Sequence, residues 1–250
     1  MRDYLAKLEA RGEILHVRRE VDPKHELAAV TDAATRKQAQ SAYEYLVPLV
    51  KGWSTEIAID VASTGVQVHG GMGFIEETGA AQFYRDARIL TIYEGTTAIQ
   101  ANDLVGRKTS RDGGATARAF ISQMRTTAAE LAAGTGDLPA IGQRLTAAVD
   151  AYESVVDYVV AQYKSDIRAV FAGSVPYLKL AGITHGGWQM ARAALAASRM
   201  VAQGRDVAFA GAKIATARFF ADHMLVTVPA LASSVVAGST GTLKLAEEVF

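Results

Sequence analysis

The sequence predicts a mainly α protein: a helical bundle followed by a helical C-terminal extension, with a short α-β-α segment at the N-terminus. Three observations predict this. Apolar residues recur every three or four positions over long stretches, the second half is rich in alanine, and glycine or proline clusters fall between the periodic stretches. The chain has 250 residues, half of them hydrophobic, which suits one or two domains.

Residues 1–38 read as helix, strand, helix. Tyr4, Leu5 and Leu8 share a helical face that Gly12 terminates. Ile14 to Val21 reads as a short strand with Leu15, Val17 and Val21 on its apolar side and Arg18-Arg19-Glu20 as a solvated edge. Asp22-Pro23 is an N-cap followed by a first-turn proline, opening a helix through Ala28, Ala29 and Ala33.

Residues 39–110 form the next segment. Tyr45, Leu46, Leu49, Trp53, Ile57 and Val61 predict one long helix over 42–65, ended by Gly70-Gly71-Met72-Gly73. Helices are expected at 77–87 and 97–107, and the loop 88–95 between them presents Glu94.

Residues 111–250 are helical throughout. Asp112-Gly113-Gly114 is a break, after which Phe120, Met124 and Leu131 line one face. Residues 134–139 are a turn with Asp137 as cap. Leu145, Val149, Tyr152, Val156, Val159 and Tyr163 step by fours and threes, the pattern of a bundle seam. Gly186-Gly187-Trp188 is expected to open a further helix, and Pro229 to interrupt the last one, which begins near Val207. Trp188, Phe219 and Phe220 are read as core.

Composition excludes several function classes. Lys+Arg 26 against Asp+Glu 26 gives no electrostatic basis for a nucleic acid partner. Cysteine is absent, which removes disulfides, thiolate metal sites and a cysteine nucleophile. His69, His185 and His223 lack metal-pair spacing. The amino terminus is too charged for a secretory signal, and no uninterrupted apolar run reaches the ~18 residues of a membrane helix, so no transmembrane segment is expected and the cytoplasm is the expected compartment.

Residues 65–109, GVQVHGGMGFIEETGAAQFYRDARILTIYEGTTAIQANDLVGRKT, resemble the flavin- and thioester-facing end of acyl-CoA dehydrogenases. In that resemblance Tyr93-Glu94-Gly95-Thr96 is the loop that supplies the catalytic base, Glu94, with Tyr93 and Gly95 beside the substrate. Gln67, Val68, His69, Gly70 and Gly71 match the segment that contacts FAD, partly across a subunit interface, and Thr96 and Thr97 match further flavin contacts. Ala98 departs from the glutamine of many relatives, which removes one side-chain contact. Arg85-Asp86 reads as a structural ion pair or cap. HGGWQMARAALAA and ATARFFADHML resemble the extension of the 3-methylmercaptopropionyl-CoA dehydrogenase-like branch. The opening 38 residues instead resemble the start of UbiD-type decarboxylases, which use prenylated flavin.

The chemistry implied by the first resemblance is α,β-oxidation of an acyl-CoA thioester. It needs a carboxylate whose basicity rises as water is excluded, about 3 Å from the carbon that loses its proton. A glutamate on an interhelical loop followed by glycine meets that need, because glycine lets the thioester approach the backbone. Few residues precede the motif in this chain. The reading therefore expects a homo-oligomer or a complementing dehydrogenase chain, with little activity alone. The alternatives are a non-catalytic helical assembly module and a decarboxylase-related protein.

Overall fold

The computed structural model describes residues 33–244 and 246, and among these the regular structure is helical, without a strand. The helix and strand expected within residues 1–32 lie outside the described residues. The chain divides into two compact units, Met1–Ala42 and Tyr43–Phe250. In the first, residues 33–42 are the opening turns of α1 (Ala33–Pro48), where Ser41 Oγ donates to the Lys37 carbonyl at 3.0 Å.

The long helix expected over 42–65 is two helices joined by a wider turn. After α1 the chain forms a π-helical turn, Leu49–Trp53, before α2 (Ser54–Val68). Pro48 brings no N–H to the hydrogen-bond ladder and its ring crowds the preceding turn, so the backbone widens there rather than breaking. Next come the four-residue α3 (Gly71–Phe74), a 3-10 turn (Glu76–Thr78) and α4 (Ala80–Ile89). Gly79, at φ +79°, separates the last two, so the helix expected from residue 77 starts at 80. After the loop, α5 (Thr97–Asp103) runs into a second π-helical turn, Leu104–Thr109.

The remaining elements are α6 (Ala115–Ala132), α7 (Leu138–Gln162), α8 (Ile167–Ala172), α9 (Ser174–Ala202), α10 (Val207–His223), α11 (Val228–Ala237) and α12 (Ser239–Thr242). Leu145, Val149, Tyr152, Val156 and Val159 of α7 are fully buried, as a seam requires. Pro229 lies in the first turn of α11, after a 3-10 turn at Leu225–Thr227, so the interruption precedes it. Asp137 makes no side-chain cap bond; its carboxylate accepts from Arg218 at 3.0 Å instead.

Two expectations fail here. Gly186-Gly187-Trp188 opens no helix but sits in the middle of α9. A Cβ on Gly187 would lie 2.4 Å from Leu225 Cδ2, so this glycine serves close helix approach. Phe219 is 61 % exposed and stacks on His223, and only the neighbouring Phe220 turns inward. By length and composition alone, Val207–Ala237 is apolar enough to cross a membrane, a weak signal that the charged Lys213, Arg218 and Asp222 hide from a search for unbroken apolar runs.

The core of the second unit contains a polar knot. Tyr45 of α1 pairs its hydroxyl with those of Tyr152 at 2.5 Å and Tyr177 at 3.0 Å, and Thr109 reaches Tyr177 at 2.9 Å. His185 Nε2 lies 3.5 Å from the Tyr152 hydroxyl, with its ring edge-on to Phe120 at 5.0 Å. Burial holds all three phenols well above the ordinary tyrosine range, so they remain protonated donors. Tyr177→Phe takes a partner from both Tyr45 and Thr109, and is expected to cost about 1–3 kcal/mol in urea unfolding.

Burial also lowers the His185 pKa from 6.5 to about 3. Between those values the unfolded chain binds a proton that the folded chain refuses, so this ring's contribution is complete above pH 6.5 and is lost as pH falls. From pH 7 to 5 the loss is about 2 kcal/mol. Unfolding titrations of the wild type and His185→Gln at both pH values check it, because the variant loses this part of the dependence.

Candidate functional site

The loop carrying Glu94 is fixed by backbone bonds at both ends. Leaving α4, the Ile92 and Tyr93 amides donate to the Ile89 carbonyl at 3.0 and 3.1 Å, and the Thr97 amide closes the loop on the Thr91 carbonyl at 3.3 Å. Thr96 is the N-cap of α5, its hydroxyl accepting from the Ile99 amide at 3.4 Å. Thr91 is buried, and its hydroxyl accepts from Arg88 Nη1 at 2.5 Å.

Glu94 itself sits at φ +54°, the left-handed region that a glutamate pays for, and Gly95 follows at φ +98°. The conformation favours glycine there, and a Cβ on Gly95 would lie 2.8 Å from Gln100 Nε2, the mobile end of a side chain that would have to move aside. Two consecutive positive φ values turn the chain sharply and hold the Glu94 side chain out in solvent, where it is exposed. Tyr93 beside it is 46 % exposed. The described residues of this chain alone do not hold Glu94 dry.

Gln67, Val68, His69, Gly70 and Gly71 are all exposed. Gln67, Val68 and His69 occupy the carboxyl end of α2, where carbonyls rather than amides face outward, while Gly70 and Gly71 open the single-turn α3. The His69 and Gly70 amides are spent on the Gly65 and Gln67 carbonyls at 3.2 and 3.0 Å, and His69 Nδ1 is 2.9 Å from the Gly65 carbonyl. Gly70, at φ +60°, redirects the chain into α3. The Thr97 hydroxyl is engaged by Glu56 of α2. Arg85 pairs with Glu76 at 3.2 Å and Asp86 accepts from Gln82 at 2.7 Å, so the two are not each other's partners.

A largely apolar groove of about 680 Å³ runs along α2 and α4. His69 and Gly65 line it together with Val61, Phe83, Ala87 and Leu90, so the 67–71 segment and the start of the Glu94 loop border one surface. The sequence reading missed Lys51, Glu56 and Gln100, which contact the loop from neighbouring elements. Lys51 Nζ donates to the Leu90 carbonyl at 2.6 Å and lies 5.0 Å from the Tyr93 ring centroid. A lysine between apolar residues at 49–53 was the available signal. No group of His, Asp or Glu among the described residues could hold a metal ion.

Comparisons with known proteins give the family. Residues 14–109 match the acyl-CoA dehydrogenase C-terminal domain, and residues 120–246 match the acetyl-CoA dehydrogenase C-terminal-like family. The 3-methylmercaptopropionyl-CoA dehydrogenase of Ruegeria pomeroyi is 56 % identical over 76 % of this chain and 32 % of its own length. A broad-specificity linear acyl-CoA dehydrogenase of Mycobacterium tuberculosis is 33 % identical over 80 % of this chain and 34 % of its own. A caffeyl-CoA reductase–Etf complex subunit of Acetobacterium woodii is 42 % identical over 21 % of this chain and 14 % of its own. The chain thus spans about a third of the first two relatives' length. The decarboxylase-like reading of residues 1–38 finds no support, since the dehydrogenase match already begins at residue 14. Both matched regions are dehydrogenase carboxyl-terminal sequence, and the chain belongs to the acyl-CoA dehydrogenase family.

Proposed function

We propose that this chain supplies the base-bearing helical face of an FAD-dependent acyl-CoA dehydrogenase, with Glu94 as the base. The observation that carries the reading is the strained, doubly anchored Glu94-Gly95 turn, which presents a carboxylate beside a glycine with no side chain to obstruct a thioester. Strain of this kind persists where surrounding contacts over-determine it, and here α4, α5 and the turn at 49–53 all do so.

The donor set suits one face of a flavin. The Gln67 amide is exposed and engaged by no side-chain bond among the described residues, and Gly70 and Gly71 allow close backbone approach. Gln67, Val68, His69, Gly70, Gly71 and Thr96 would hold the cofactor, with Thr97 adding a lone pair beyond its bond to Glu56. When bound, FAD supplies the acceptor for the hydride leaving the β carbon. This chain's own part is to take the proton from the α carbon onto a Glu94 oxygen. Gly95 leaves room for the thioester, while Tyr93 walls one side.

Because Glu94 is exposed in these residues, the raised basicity that proton abstraction needs has to come from a covering surface, either a further part of the polypeptide or a second chain. The family's full reaction, an acyl-CoA substrate, self-association or a complementing dehydrogenase chain, and a cytoplasmic setting all belong to this reading. The non-catalytic assembly module is the second reading, favoured by the exposure of Val68 at 79 % and Phe83 at 75 % around the groove.

An absorption spectrum tests the cofactor half: the purified chain alone is expected to be colourless, with flavin retained only when a covering chain is present. In such an assembly Glu94→Gln is expected to slow turnover about 10²–10⁴-fold, as loss of a general base does. Turnover unchanged in Glu94→Gln rejects the assignment.

The strain gives an independent measurement on the chain by itself. Glu94→Asn replaces a side chain ill-suited to φ +54° by one that tolerates it. Thermal or urea unfolding is expected to show a gain of up to about 1 kcal/mol in the variant that has lost the base, the exchange typical of a functional residue.

A further inference from the structure

We infer that Lys51 is the positioning residue for the base loop, delivered to it by the π-helical turn Leu49–Trp53; the inference rests on the dehydrogenase reading of Glu94. Lys51 is half-buried and reaches across from the turn after α1 to the far end of α4. Its ammonium donates to the carbonyl of Leu90, the C-cap of α4, at 2.6 Å, where a cation meets the negative end of that helix. The same ammonium lies 5.0 Å from the ring centroid of Tyr93, one residue before the base. One charge thus fixes both the start of the loop and the aromatic neighbour of Glu94.

The next residue, Gly52, secures the other side. A Cβ there would lie 3.0 Å from Gln100 Cβ and 2.7 Å from Leu178 Cδ2, so the backbone of the turn presses directly on α5 and α9. Gln100 in turn backs Gly95, its Nε2 being 2.8 Å from where a Cβ would sit. One turn further, Glu56 accepts from the Thr97 hydroxyl. Lys51, Gly52 and Glu56 therefore meet the chain on both sides of Glu94, at Leu90 and Tyr93 before it and at Thr97 and Gln100 of α5 after it. A π-turn inside an α-helix is a frequent mark of a functional position.

A loop holding a glutamate at φ +54° relaxes when its anchors are cut. Lys51→Met keeps the aliphatic stem and removes the donor and the charge, and Lys51→Arg restores both. In the chain as it stands, Lys51→Met is expected to speed amide hydrogen exchange at Ile92, Tyr93 and Thr97 severalfold, to leave α6 and α7 unchanged, and Lys51→Arg to restore protection. In an assembled, flavin-loaded enzyme, Lys51→Met is expected to lower kcat about ten- to a hundredfold at nearly constant KM, as a misplacement of about 1 Å does, with partial recovery in Lys51→Arg.

Unchanged exchange at those three amides overturns the inference, as does faster exchange spread over the whole bundle, which would make Lys51 a general stabiliser. A parallel rise in KM with kcat retained also overturns it. A wild-type assembly without turnover sinks the dehydrogenase reading itself, and the exchange measurement on the free chain then decides the tether separately.

Discussion

Three buried phenols determine how the described bundle is put together. A tyrosine hydroxyl in an apolar core needs a partner, and Tyr45, Tyr152 and Tyr177 supply one another, with Thr109 and His185 at the margin. Among the described residues no buried side-chain nitrogen or oxygen lacks a hydrogen bond, so the network is closed. Its members come from both matched regions: Tyr45 and Thr109 from the first, Tyr152, Tyr177 and His185 from the second. The two regions share one core, and neither can shift against the other without leaving a hydroxyl unpaired, at a cost of about 1–3 kcal/mol.

Thr109 carries that constraint toward the Glu94 loop. It ends the π-helical turn that continues α5, and α5 is capped by Thr96, directly after Glu94 and Gly95. The Glu94 loop is thus anchored on one side to a helix whose far end is tied into the core, where Ala101, Leu104 and Val105 are fully buried. On the other side it leans on α4, a short helix of which Ala87 is the one buried residue. Lys51 gives that weaker side its link to the turn at 49–53. Burial therefore falls from the tyrosine knot outward to α2 and α4, and Glu94 stands where the rigid and exposed parts meet.

Periodicity made the bundle readable and motif made the loop readable, each for a physical reason. The α7 seam followed from apolar residues spaced for one helical face, and all but the marginal Tyr163 are fully buried. Glu94 was singled out by the resemblance of residues 65–109 to the dehydrogenase motif; a glutamate followed by glycine in an interhelical loop carries little information by itself. The π-turn was not legible, because a proline's effect on the hydrogen-bond ladder leaves the apolar spacing intact. Gly186-Gly187 misled for a related reason: a helix interior tolerates glycine when a neighbour such as Leu225 must come close, and sequence alone does not show the neighbour. Phe219 was read as core by type, although its helix buries mainly alanines, Ala210, Ala217 and Ala221. The 67–71 segment was legible as a motif, while its place across the end of α2 and the start of α3 was not.

On the proposed reading, exposure of Glu94 and strain at Glu94 are separate properties that bear on different moments of the reaction. The strain is fixed by this chain's own contacts and sets where the carboxylate stands before any substrate arrives. Dryness depends on what covers Glu94, and burying an unpaired carboxylate costs several kcal/mol while it stays charged. On the proposed reading, a helical face that desolvated Glu94 by itself would carry that cost permanently and drive the group toward its protonated, useless form. Leaving it in water until the covering surface closes defers the cost to the step in which the substrate's proton neutralises it. On that reading, a preformed turn with an open carboxylate has its geometry ready early and leaves desolvation to the covering surface.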